Sequence, residues 1–161
     1  MNIMHALTSY GLIGIVRSAV VLMFLCVSVS AQSMDIKGGN VTMTVSTGIA
    51  GSQPVSAVNS STTLTYKKQN QISKITVKTV CLAQAFTLDV EATNVTGGNA
   101  APAVLLVNGN AAMDLIRNIP KNGSTTFTCR LQYTASATFE QGNSSEVTND
   151  THTVTYTIQL Q

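Results

Sequence analysis

This sequence predicts an all-β fold, a single immunoglobulin-like antiparallel β-sandwich of about seven or eight strands, preceded by a helical signal peptide. Three observations carry that expectation. Apolar and polar residues alternate in segment after segment, and helical periodicity is nearly absent. The polar phase is filled largely by Thr, a residue suited to the wet face of a strand. Clusters of Gly, Asn, Pro and Ser separate the segments.

The elements follow in order. After Arg17, the run Ser18–Val27 has the length and apolarity of a signal-peptide core, and Val29 and Ala31 are the small residues that signal peptidase reads. Cleavage after Ala31 is expected, which makes 1–31 the leader and 32–161 one domain. Arg17 interrupts the apolar stretch, leaving it short of the ~20 residues of a membrane span. Bulky Met23-Phe24-Leu25 argue against acylation at Cys26. The protein is therefore expected to be secreted or displayed at the cell surface, with no membrane attachment after cleavage.

Beyond the leader, Val41, Met43 and Val45 alternate with Thr42, Thr44 and Ser46 as a first strand. Leu64 and Tyr66 mark the next, then Ile75 and Val77, then Phe86, Leu88 and Val90. The series from Phe127 through Cys129, Leu131, Tyr133 and Ala135 to Ala137 is the longest, and Val154, Tyr156, Ile158 and Leu160 form the last. Each predicts a strand with one face on a core and the other in water. Pro102–Val107 is a continuous apolar run that suits a buried strand, while Ala111–Ile116 fits a strand or a single helical turn. Asn108-Gly109 between them predicts a tight turn with positive φ. The stretches Gly48–Ser61 and Gly142–Thr151 are the expected mobile loops.

Charge excludes some functions. Without Arg17 the chain keeps eight Lys/Arg against seven Asp/Glu, so no basic stripe for nucleic acid is present. Lys67, Lys68, Lys74 and Lys78 form the closest approach to one and read as the solvated face of a strand. Cys81 and Cys129 are the two cysteines outside the leader. An even count in an exported chain predicts a disulfide, worth ~2–4 kcal/mol for a loop of that length. A metal centre would need more ligands, and His152 is the one histidine outside the leader.

Catalytic chemistry is not expected. General acid–base work needs a histidine or paired carboxylates within reach of each other. His152 follows Asp150 by two residues, and Ser144 or Ser145 would be the nucleophile of a hydrolase, yet no elbow motif surrounds them. A solvated histidine at a strand end is the expected reading. Asp89 and Glu91 share the outer face of one strand as solubilising charges. No phosphate loop, zinc spacing or calcium loop occurs, so no cofactor is expected.

The segment Thr128-Cys129-Arg130-Leu131-Gln132-Tyr133-Thr134-Ala135, then a Gly-containing loop and His152-Thr153-Val154-Thr155-Tyr156-Thr157-Ile158, resembles the ending of secreted bacterial pilin-like and spore-coat-U-like sandwiches. The resemblance covers about a third of the exported chain. It implies a non-catalytic structural or adhesive role at a bacterial surface, with the chain itself or other surface proteins as partners, through strand exchange. Met34, Ile36 and Gly38 would begin the exchanging segment, with Gly38-Gly39 as its break from the domain or as a β-bulge. The alternative is a monomeric extracellular binding module for carbohydrate or protein. Sugar sites use exposed aromatics, and Phe139 is the one aromatic that falls outside the core-facing phase.

Overall fold

The computed structural model describes residues 33–46, 51–67, 70–121, 125–142 and 149–161. The leader 1–31, Cys26, Ser144 and Ser145 lie outside them. Among the described residues no helix is long and apolar enough to cross a membrane.

Nine strands and one short helix are present among the described residues: β1 (Met34–Lys37), β2 (Ala57–Lys67), β3 (Ser73–Val80), β4 (Thr87–Thr93), β5 (Asn99–Ala100), β6 (Val104–Leu105), β7 (Met113–Ile119), β8 (Thr126–Ser136), α1 (Phe139–Gly142) and β9 (Thr153–Leu160). They form two antiparallel sheets, one ordered β1-β2-β8-β4-β6 and the other β5-β7-β3-β9. The expected alternation sets which face is buried. Leu64 and Tyr66 of β2, Cys129, Leu131 and Tyr133 of β8, and Val90 and Ala92 of β4 point inward from the first sheet. Ile75 and Val77 of β3, Leu115, Ile116 and Ile119 of β7, and Tyr156 and Ile158 of β9 meet them from the second. The two sheets thus share one core.

Three buried tyrosines carry their hydroxyls into that core with partners. Tyr66 donates to the Gly97 carbonyl at 2.5 Å. Tyr133 and Tyr156 join hydroxyl to hydroxyl at 2.7 Å, a polar link between the sheets. Burial pushes all three hydroxyls above their ordinary pKa, and pushes the Cys129 thiol up to about 11. A group whose folded pKa is raised contributes stability below its unfolded pKa and loses it as pH rises through the folded one. The urea midpoint is expected to hold up to about pH 9 and fall steeply through pH 10–11, as thiol and phenol ionise in the unfolded chain. A flat alkaline profile would contradict the burial of these groups.

Several elements differ from expectation. Residues 40–46 form no strand: Val41, Met43 and Val45 are half-buried and Thr42, Thr44 and Ser46 exposed, but the segment joins neither sheet. The alternation there reflects side-chain packing on the core by Val41 and Met43 without a backbone ladder. Gly38, with φ of 127°, ends β1 against Thr62: a Cβ on it would lie 2.9 Å from the Thr62 Cα. The last residues of the loop expected over 48–61 are strand, because β2 already begins at Ala57. The run 102–107 contributes only the two-residue β6, with Val104 and Leu106 buried and Leu105 half exposed. Residues 113–119 are a strand, and register shifts against β3 let the adjacent Leu115 and Ile116 both be fully buried. Asn108-Gly109 makes the expected turn, with Gly109 at φ 79° and Asn110 N donating to the Val107 carbonyl at 3.2 Å.

Gly98 combines a positive φ with close packing. Its φ is 99°, and a Cβ there would sit 2.7 Å from the Arg117 carbonyl oxygen and 2.9 Å from Ile116 Cγ2. Gly98→Ala is expected to cost about 2–4 kcal/mol, from left-handed strain together with overpacking. A denaturation midpoint unchanged in that variant would contradict this packing of β5 on β7.

Candidate functional site

The residues that carry chemistry gather where β3 and β9 run out. These strands pair antiparallel, with Thr79 opposite Val154 and Val80 opposite Thr153. Continuing that register brings Cys81 level with His152. Side chains two residues apart share a strand face, so Thr79-x-Cys81 and Asp150-x-His152 lie on one face of the extended pair. That face is the inner one, since Ser73, Ile75, Val77 and Thr79 along it are all buried.

Contacts fix the arrangement. His152 Nδ1 lies 3.1 Å from Thr79 Oγ1, and its Nε2 lies 3.7 Å from Asp150 Oδ2. Asp150 is held by backbone donors of the loop after Cys81: Ala85 N–H reaches both carboxylate oxygens at 3.0 Å, and Phe86 N–H reaches Oδ2 at 2.8 Å. Cys81 donates its backbone N–H to Asn108 Oδ1 at 3.0 Å. Asn108 N–H in turn donates to Gln84 Oε1 at 2.8 Å, and Gln84 Nε2 donates to the Leu106 carbonyl at 2.8 Å. Gln141 Nε2 closes the cluster by donating to the Ala85 carbonyl. The loop 81–86, the 108–109 turn, α1 and the approach to β9 are thereby tied together at one end of the sheets.

One ring nitrogen of His152, a carboxylate oxygen of Asp150 and Cys81 Sγ all lie within 4.8 Å of one another. The site is enclosed: the His152 and Asp150 side chains are 10% and 7% exposed, and Cys81 is 3% exposed. A thiol, an imidazole and a carboxylate so placed can share protons or ligate a cation. A thiol this covered is poorly open to an external substrate.

Two expectations change here. His152 is not a solvated strand-end residue; it is packed and hydrogen-bonded, because the β3–β9 register carries it inward. The expected Cys81–Cys129 bridge is not formed, since both are buried free thiols. Cys81 sits by Asp150 and the Ala85-Phe86 backbone, next to Thr87, which pairs with Ser136 of β8. Cys129 lies instead within β8, opposite Leu64 of β2.

The remaining residues of interest do not join this cluster. Met34 and Ile36 lie in β1, paired with Tyr66 and Leu64, at the sheet edge. Asp89 and Glu91 lie in β4, where partial burial raises the Asp89 pKa. Lys74 bonds Asp114 at 2.8 Å on the second sheet, and Arg117 shares that carboxylate. Phe139 is half exposed in α1. Comparison with protein-family models, with curated proteins and with solved structures finds no match.

Proposed function

We propose that this chain is a non-catalytic structural or adhesive subunit, exported and displayed at a cell surface, and able to associate with copies of itself by exchange of its N-terminal arm. The observation that carries the reading is the way this arm is attached. Met34–Lys37 holds the edge of β2 by four residue pairs, Ile36 remains half exposed, and Gly38 stops the ladder. Beyond it, Val41 and Met43 lie on the core, yet 40–46 joins neither sheet. Such an arm gives up few backbone hydrogen bonds when it moves to a neighbour, and its alternate apolar side chains suit the neighbour's equivalent groove.

Strand order supports an immunoglobulin-like reading with one departure. In that fold one sheet carries strands A, B, E and D and the other C, F and G. With β3 and β7 as B and E, and β4 and β8 as C and F, both central pairings are reproduced. β2 then lies beside F, where G belongs, and β9 beside B, where A belongs. β1, the proposed exchanging arm, lies beyond β2 at the edge of that sheet.

The aromatic inventory disfavours a sugar-binding module, because Tyr66, Tyr133 and Tyr156 are all buried. The test is the size of the chain 32–161, by light scattering and negative-stain microscopy. Stable oligomers or filaments, abolished by deleting 32–39, are expected. A monomer of fixed mass would contradict the exchange and favour a binding module displaying Phe139.

A further inference from the structure

We propose that Cys81, Asp150 and His152 form a binding site for a divalent transition-metal ion of zinc type, at the end of the sheets where β3 and β9 run out. The donor set is a thiolate, an imidazole and a carboxylate, the three ligand types zinc takes, and three protein ligands leave a fourth position for water. Their candidate donor atoms span at most 4.8 Å. Neighbouring ligands around a tetrahedral zinc are about 3.5 Å apart, so closure needs side-chain shifts of roughly an ångström and no rearrangement of the strands.

The surroundings prepare each ligand. The Thr79 hydroxyl holds His152 Nδ1, which turns Nε2 toward Asp150. Metal-bound histidines are oriented this way by a hydrogen bond at the other ring nitrogen. Backbone donors from Ala85 and Phe86 hold the Asp150 carboxylate, and Oδ1 accepts only one of these bonds. The Asn108 side chain anchors the Cys81 backbone. Three electron-pair donors, enclosed and converging, repel one another unless a proton or a cation lies between them. A metal ion satisfies all three at once, and the Cys81 thiol releases its proton to solvent as the Sγ–metal bond forms.

Cobalt(II) is the probe, added to the full exported chain 32–161 under anaerobic, thiol-free conditions. One equivalent is expected to produce a near-ultraviolet thiolate-to-cobalt charge-transfer band and intense visible bands of a four-coordinate ion, both bleached by one equivalent of Zn²⁺. The charge-transfer band should vanish in Cys81→Ser and persist in Cys129→Ser, with circular dichroism showing both variants folded. His152→Gln should weaken cobalt binding at least tenfold. Zn²⁺ should raise the Tm of the wild type and not that of Cys81→Ser. Absence of the band in folded wild-type protein, or its survival in Cys81→Ser, would overturn the proposal. None of these readouts depends on whether the chain assembles.

Discussion

Leu131→Ala is expected to destabilise the protein by about 3–4 kcal/mol, the range for a fully enclosed leucine. Leu131 has no exposed surface and sits in β8, the strand that β2 and β4 flank, opposite Thr62 and Ala92. Paired neighbours on both sides leave little room for the cavity to collapse, so transfer and cavity costs both apply in full. Against the ~5–15 kcal/mol that holds a typical domain together, this is a large share. Urea denaturation followed by circular dichroism measures it. A loss below about 1 kcal/mol would mean that β8 is not the centre of the core.

Asp150→Ala is expected to cost about 2–4 kcal/mol, through a different mechanism. The carboxylate receives the N–H groups of Ala85 and Phe86, and hydrogen bonds to a charged group are worth ~1.5–3 kcal/mol each. Removing it leaves two backbone donors without their partner and frees the loop 81–86 from the approach to β9. Hydrogen exchange should accelerate at Ala85 and Phe86, while amides of β8 change only with global stability. Asp150→Asn, which keeps an acceptor oxygen, should recover part of the loss. Equal loss in both variants would mean that charge, not the acceptor, holds the loop.

The all-β character was legible because Thr-rich alternation leaves no other period to follow. The long strands β2, β3, β4, β8 and β9 were all marked by inward-facing residues such as Leu64, Ile75, Val90, Leu131 and Ile158. Residues 40–46 misled because packing of Val41 and Met43 on a core needs the same alternation as strand pairing does. Sequence period reports which side of the chain is apolar and does not report whether its backbone finds a ladder. The 102–107 run misled in length, since only Val104 and Leu106 face inward.

The site was half legible. Asp150 two residues before His152 stood out as an orienting pair, and period-two spacing implied a shared face. Cys81 was drawn away from them by the even cysteine count, which pairs residues by number and ignores distance. The missing signal was the β3–β9 register. Once Val80 is opposite Thr153, the partner of His152 follows as Cys81, but strand order between distant segments cannot be read from local pattern.

Whether Cys81 belongs with Asp150 and His152 or with Cys129 is the most direct test of this account, and thiol titration decides it. The full exported chain 32–161, produced by a route that includes an oxidising compartment, is denatured in guanidinium without reductant and reacted with a chromogenic thiol reagent, with chelator present to release any metal. Two reactive thiols per chain are expected, both of them protected from alkylation in the native state by their burial. No reactive thiol before reduction, and two after it, would mean that Cys81 and Cys129 are joined, and would contradict both the placement of Cys81 and the site built on it.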